Sequence, residues 1–173
     1  MIFVTVGTHE QPFNRLIEYV DKLKQNKVIG EEVIMQTGYS TYEPLHCTWQ
    51  KVYPYGQMVE LVREARIVVT HGGPSSFILP LQIGKVPIVI PRQKKFGEHV
   101  NDHQVNFARA IADRMKSIIV VSDIERLQDI INDYEELVKT MNGCSVSNNA
   151  RFNEELRRIV NEMLNDTEAE QKG

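Results

Sequence analysis

Apolar residues follow two alternating rhythms along this chain. Short runs with almost no polar interruption, such as Ile2-Phe3-Val4-Thr5-Val6, alternate with longer stretches in which Leu, Ile and Val recur every three or four positions. The first kind reads as strands buried on both faces, the second as amphipathic helices lying over them. In order, the pattern predicts a strand over 2–6, ended by Gly7-Thr8, and a helix from Phe13 with the stripe Leu16, Ile17, Val20 and Leu23. A second strand spans 32–36, a loop 39–49 and a short strand 51–53, which Pro54 breaks. A helix with Met58, Leu61, Val62 and Ala65 on one face leads to a fourth strand over 66–70. Beyond the glycine turn come a helix through Phe77, Leu81 and Ile83, then a strand over 86–90 and a charged loop. A helix from Asn101 carries Val105, Ala108, Ile111 and Ala112, and the last strand covers 117–121, with Ser122-Asp123 as a helix N-cap.

Strands alternating with helices of this length build a parallel sheet covered on both faces, so the expected class is α/β with a doubly wound, mainly parallel sheet. The tail departs from that rhythm. Ile124, Leu127, Ile130, Ile131, Tyr134, Leu137 and Val138 fit one amphipathic helix, and Phe152, Leu156, Ile159, Val160 and Met163 fit another beyond a break at Gly143. Packed back on the sheet, these C-terminal helices (123–164) complete a single domain over 1–164, and 165–173 form a polar, frayed tail.

At 173 residues the chain has room for one well-buried domain. Its net charge of −3 leaves no global basic field for nucleic acid or anionic lipid, so any anion must be held locally. Cys47 and Cys144, far apart and outside any Cys-x-x-Cys motif, read as reduced thiols of a cytoplasmic protein. Apolar runs are strand-length, which excludes a transmembrane segment, and Met1 enters the first strand without a signal-peptide pattern.

Chemistry-bearing residues gather where predicted strands end, the place where open α/β sheets bind ligands. His71-Gly72-Gly73-Pro74-Ser75-Ser76 is a strand-to-helix turn without the lysine of a P-loop or the spaced glycines of a dinucleotide fingerprint. Two readings stand: the amides of Ser75 and Ser76 face a diphosphate at the helix's partly positive end, or the turn is purely structural. Pro74 suits the first helical turn in either case. His71, at the strand's exit, is assigned binding or orientation rather than acid–base work. Gly7 lets backbone approach a ligand, and Thr8, His9 and Glu10 line the same crevice. Arg92, with Lys94 and Lys95, concentrates positive charge suited to phosphate or carboxylate, or else forms a solvated surface. His99 and His103 have the i, i+4 spacing of zinc ligands, but no third ligand is evident and His99 precedes the helix, so no metal is expected. Glu98, His99, Asp102, His103 and Gln104 instead read as a ligand clamp at a helix N-terminus. Asp102 is also a candidate cap, and Gln104 either meets sugar hydroxyls or is a solvated first-turn residue. Glu10 and Glu98 are a candidate carboxylate pair, whose placement against each other spacing does not give, and nothing resembles a Ser-His-Asp triad.

Four stretches, Ile2 to Thr8, Val69 to Ser76, Val86 to Arg92 and Glu98 to Gln104, together resemble the donor-binding, C-terminal half of GT-B glycosyltransferases. More closely, they are similar to the small soluble subunits of two-part bacterial capsule and exopolysaccharide transferases, which have a eukaryotic counterpart in the soluble subunit of the dolichol-linked N-acetylglucosaminyltransferase. The resemblance covers residues 1 to 125. It implies a Rossmann-like, GT-B C-terminal fold and a UDP-sugar site. Uracil and ribose would lie near His71 to Ser76, diphosphate at the next helix, and the sugar near Asp102, His103 and Gln104. It further implies an inverting transfer of a hexose or hexuronate to a lipid-linked saccharide acceptor, with no cofactor and no metal. A membrane-anchored, acceptor-binding glycosyltransferase subunit is the implied partner. It would supply the general base and hold the chain at the inner face of the plasma membrane. No catalytic residue is assigned in this chain, and homo-oligomers of the isolated subunit stay open. Related donor domains often carry a ribose-binding glutamate six residues after the turn's last glycine, where this chain has Leu79. That departure motivates the alternative, a non-catalytic enhancer or scaffold stabilising a partner transferase.

Overall fold

In a computed structural model, residues 1–141 are described, together with Glu154 and Arg158, both helical and exposed. The expected helix around Phe152 to Met163, the break at Gly143, Cys144 and the tail 165–173 lie outside the described residues.

The described residues form a six-stranded sheet of order β3-β2-β1-β4-β5-β6. Its strands are β1 (Ile2–Thr5), β2 (Val33–Gln36), β3 (Thr48–Gln50), β4 (Ile67–His71), β5 (Ile88–Ile90) and β6 (Ile119–Val120). Every pairing is parallel, including β1 with β4 in the register Ile2↔Ile67 to Thr5↔Thr70. The expected doubly wound sheet is therefore found. Strand order reverses between β1 and β4, and such a reversal opens a crevice at the strands' carboxyl ends.

Because a strand turns alternate residues to opposite faces, the continuous apolar runs supply both sides of the sheet at once. Ile2, Val4, Val6, Ile67, Val69, Ile88 and Ile90 pack with Leu16, Ile17, Val20 and Leu23 of α1 (Asn14–Gln25). Leu127 of α5 (Leu127–Asn132) and Tyr134 of α6 (Tyr134–Lys139) join the same cluster. On the other face, Phe3 and Val68 meet Val62 of α2 (Tyr55–Glu64). There Val89 meets Phe77 of α3 (Pro74–Gln82) and Ile111 of α4 (His103–Met115). Leu79, half-buried, packs against the Phe3 cluster.

Apart from shifts of one or two residues at other strand ends, four elements depart from expectation. The third strand is Thr48–Gln50 rather than 51–53, because pairing is set by the ladder to Ile34–Gln36, while Tyr53 is drawn inward with its N–H donating to Gln36 Oε1 (3.1 Å). This edge strand is mostly exposed and lacks the apolar signature that marks central strands. The last strand shrinks to Ile119–Val120, paired only with β5. Helix α4 starts at His103, not Asn101, because Asn101 Oδ1 accepts the His103 N–H (3.2 Å) and Asp102 Oδ1 accepts the Lys94 N–H (2.9 Å). The single helix expected over 124–138 is a 3₁₀ turn (Ile124–Arg126) followed by α5 and α6, divided at Asp133. The Asp133 N–H ends α5 on Asp129 O, its carbonyl starts α6, and Tyr134 is anchored by its hydroxyl donating to Val86 O (2.7 Å).

The irregular segment after β2 is held by two side chains of α1. Asn14 Oδ1 accepts the N–H groups of Thr41 (2.9 Å) and Tyr42 (3.2 Å). Asp21, 1% exposed, accepts from Leu45 N–H, His46 N–H and the Tyr42 hydroxyl. Burial raises its carboxyl's pKa, but these donors outweigh that and hold it below the usual aspartate value.

Candidate functional site

Three loops meet at the reversal point: one after β1 (Val6 to Phe13), the turn after β4 (Gly72–Gly73), and the loop after β5 (Pro91 to Asp102). The ring of His71 fills the space between the first two. A Cβ on Gly73 would lie 2.2 Å from its Cε1, and one on Gly7 would lie 2.4 Å from its Nε2. Gly7 also has φ +69°, in the left-handed region. Both glycines are thus required by the imidazole. Gly72 lies equally close to the next elements, since a Cβ there would sit 2.9 Å from Cβ of Gln104 and 3.1 Å from Cα of Pro91.

His71 is engaged at both nitrogens. The Gly73 N–H donates to Nδ1 (2.9 Å), so Nε2 carries the ring's proton and donates to Ser76 Oγ (2.6 Å). Burial, then the nearby charge of Arg92, pull its pKa down to about 4, while contact with Gln104 acts the other way. The ring is neutral at physiological pH and fixes the entry into α3. The Ser76 N–H, expected to face a diphosphate, donates to Gly73 O (3.0 Å); Pro74 and Ser75 are the exposed residues of the turn.

Arg92 occupies neither of its expected places. It is 0% exposed and its guanidinium donates to backbone carbonyls: Gln11 O (2.7 Å), Pro12 O (3.3 Å), Glu98 O (3.3 Å) and Val6 O (3.1 Å). Its Nε is without a partner, and its carbon lies 4.8 Å over the Phe13 ring. Burial lowers its pKa to about 10, with Glu98 acting the other way, so it remains charged at neutral pH. Glu98, also buried, is taken in a two-point pair by Arg15, at 2.7 and 2.9 Å, and accepts the Gln93 N–H. Arg15 is a member of this assembly that its helical position did not mark; only the pairing with a glutamate 83 residues away reveals it. The other basic residues of the loop, Lys94 and Lys95, are exposed.

Gln104 Oε1 accepts the Arg92 N–H (3.2 Å), which ties the end of β5 to the first turn of α4. Thr8, Asp102 and His103 are exposed around the crevice. Glu10, exposed after β1, has no contact with Glu98, which is occupied elsewhere. His9 and His99 meet across the opening, ring centres 5.1 Å apart. A groove of about 750 Å³ begins at Thr8 and continues along Tyr39, Tyr42, Trp49 and Val52. The three loops are thus brought together by His71 against Gly7 and Gly73, by Arg92 on the carbonyls of Val6, Gln11, Pro12 and Glu98, and by His9 against His99, while Asp102 and His103 stand exposed at the start of α4. Among the described residues no group of three or more His, Cys, Asp or Glu is placed to hold a metal ion, and no helix is long and apolar enough to cross a membrane.

This crevice at a sheet of that order invites comparison with known donor-binding domains. Residues 1–136 match the model of the glycosyltransferase family 28 C-terminal domain. The chain belongs to this family. Solved structures agree in fold: the glycotransferase of kitacinnamycin (13% identity, TM-score 0.53, 76% of this chain and 34% of that one) and CalG4, the calicheamicin glycosyltransferase (13%, 0.53, 95% and 38%). SnogD from Streptomyces nogalater matches at 16% identity and TM-score 0.49, over 80% of this chain and 37% of its own. The chain spans little more than a third of the length of these structures. No curated protein matches it. As a glycosyltransferase family 28 C-terminal domain, the chain has a Rossmann-like α/β architecture.

His71 and Asp21 make the domain's stability fall with acid in two stages. The neutral His71 ring stabilises the fold fully above its ordinary value of 6.5, and that contribution is lost as pH falls toward about 4. Asp21, with a depressed carboxyl, contributes fully above 3.8 and loses its contribution as pH falls through its lower folded value. Denaturant unfolding across the acid range should show both stages, and Asp21→Asn should diminish only the lower one, to which the depressed carboxyl of Glu31 also contributes.

Proposed function

We propose that this domain is the donor-binding catalytic subunit of a heteromeric, metal-independent, inverting glycosyltransferase. It moves a hexose or hexuronate from a UDP-sugar to a lipid-linked saccharide acceptor in capsule or exopolysaccharide synthesis. The observation that carries this reading is the positively charged crevice at the reversal of strand order, in a glycosyltransferase family 28 C-terminal domain. Arg92 is charged and bonded only to carbonyls, and the one nearby carboxylate, Glu98, is shared with Arg15, so these three groups together carry one net positive charge. A diphosphate is the natural complement of that charge.

The UDP-sugar lies across the crevice with its diphosphate over Arg92, at the positive end of α3, and its sugar toward Asp102 and His103. Gln104 acts chiefly by holding α4 against β5. The acceptor side of the cleft belongs to a membrane-anchored partner subunit, which brings the lipid-linked acceptor and the general base that activates its hydroxyl. As the base removes that proton, the hydroxyl attacks the anomeric carbon and UDP leaves. This domain binds the leaving group, so no metal is needed. The scaffold alternative keeps its motive, because Leu79 packs half-buried against the Phe3 cluster and its side chain offers no polar contact to a ribose.

The test is sugar transfer from a series of UDP-hexoses and UDP-hexuronates in EDTA, by the isolated chain and by its complex with the partner. Transfer by the complex, with little from the isolated chain, is the expected result. Robust metal-dependent transfer by the chain alone would overturn it. In the complex, His103→Ala should reduce discrimination among sugars by about tenfold, the scale of one hydrogen bond, with UDP affinity nearly unchanged.

A further inference from the structure

Histidines 9, 71 and 99 share one local device. In each, Nδ1 accepts the backbone N–H two residues on: Gln11 (3.2 Å), Gly73 (2.9 Å) and Asn101 (3.3 Å). That bond selects the neutral tautomer with its proton on Nε2. His71 spends that Nε2 proton on Ser76, inside the turn. His9 and His99 stand at the rim, one from the loop after β1 and one from the loop after β5, with rings 5.1 Å apart and tilted by 39°.

The charges around the pair are unbalanced. Facing His9 are Arg92 from below, His99 across the opening, His71 at the end of β4, and Glu10 on its own loop. Glu98, beside His99, is committed to Arg15, and Asp102 accepts the Lys94 N–H. Burial, Arg92 and His99 all lower the pKa of His9, and Glu10 alone raises it. His9 therefore holds a proton less readily than an ordinary histidine.

We propose that His9 and His99 form a proton-accepting clamp for the donor's diphosphate, which draws one proton onto the pair as it binds. This rests on the nucleotide-sugar reading above. The proton comes from solvent and adds to the lone pair of Nδ1 on one ring. That nitrogen then becomes a donor facing the backbone N–H it used to accept, and an anionic oxygen that accepts from both resolves the conflict. The second ring stays neutral and offers its Nε2 proton. Donor binding thus tightens as pH falls, by up to roughly tenfold per pH unit where the pair titrates.

The experiment is calorimetric titration of the wild-type chain and its co-purified partner complex with UDP-glucose and other UDP-sugars. It is run from about pH 6 to about pH 8 in buffers of different ionisation heat. UDP-glucose suits this because its diphosphate is a diester with no group titrating there. The comparison is the double variant His9→Asn/His99→Asn, whose amides accept the same backbone N–H groups, as Asn101 already does for His103, but bind no proton. Wild type should take up a fraction of a proton and lose affinity as pH rises, and the double variant should show neither. Identical uptake and pH slope in both proteins would overturn the clamp while leaving the donor site intact. Absence of binding by any UDP-sugar, to chain and complex alike, would overturn the donor reading and the clamp with it. A ligand-free measurement separates the two further. By nuclear magnetic resonance, neutral His9 should carry its proton on Nε2, and His99→Asn should raise the pKa of His9. An unchanged His9 titration would overturn the pairing whatever the nucleotide does.

Discussion

Arg92→Met should lower the domain's stability by about 3–5 kcal/mol, a large part of the ~5–15 kcal/mol typical of a folded protein. The substitution strands four carbonyls, of Val6, Gln11, Pro12 and Glu98, beneath the crevice. Each buried acceptor left without a donor costs about 1–3 kcal/mol. Relief from burying a charge offsets part of that sum, because Arg92 has no carboxylate of its own to leave behind. Arg92→Lys should be nearly as damaging: an ammonium is a compact point donor, whereas the planar fork reaches both the Val6 and the Gln11 sides. Equilibrium denaturation would check this. If Arg92→Met unfolds within about 1 kcal/mol of wild type but no longer binds nucleotide, Arg92 is a ligand contact and the structural account is wrong.

Gly7→Ala should abolish most function, with loss of transfer on the order of a hundredfold or more. Its φ of +69° disfavours any Cβ, and that Cβ would meet His71 Nε2 at 2.4 Å. The ring has little room to retreat, because the Gly73 backbone lies against its other side with its N–H 2.9 Å from Nδ1. His71 must therefore leave its bonds to Gly73 and Ser76, and the start of α3 shifts. Misplacing a binding element by about 1 Å costs on that scale in rate. Gly56→Ala is the control: nothing lies within 4 Å of its added Cβ, and alanine should stabilise α2 by about 0.5–1 kcal/mol. Transfer rates and unfolding curves for both variants decide the matter; wild-type rates for Gly7→Ala would remove the packed imidazole from the account.

The central strands were legible because each is buried on both faces, so Phe3 and Val4 are both apolar although they serve opposite layers. Edge elements were not. Thr48–Gln50 is held by backbone pairing with β2 and turns only Trp49 toward the core, too little to mark a strand, and the two-residue β6 is likewise delimited by pairing with its neighbour. The division of 124–138 at Asp133 was hidden because both halves keep apolar residues on one face. In the site, position relative to strand ends located the crevice, since that follows from topology. What each residue does there was less visible: Arg92 and Glu98 are charged, and only the fold shows them turned inward against carbonyls and Arg15. The spacing of His9 and His99 says nothing of their contact, which the crossing of two loops creates.

The bonds from Asn14 and Asp21 to the segment after β2 end mainly on backbone N–H groups, those of Thr41, Tyr42, Leu45 and His46. Main chain does not change when residues are exchanged, so the loop's course is inherited from the helix beneath it. The outward side chains of Tyr39 and Leu45, 59% and 82% exposed, are thereby released from any duty to the fold. Substitutions at Tyr39 and Leu45 should therefore change what this surface presents to a neighbour without disturbing the loop's course, so long as Asn14 and Asp21 keep their bonds.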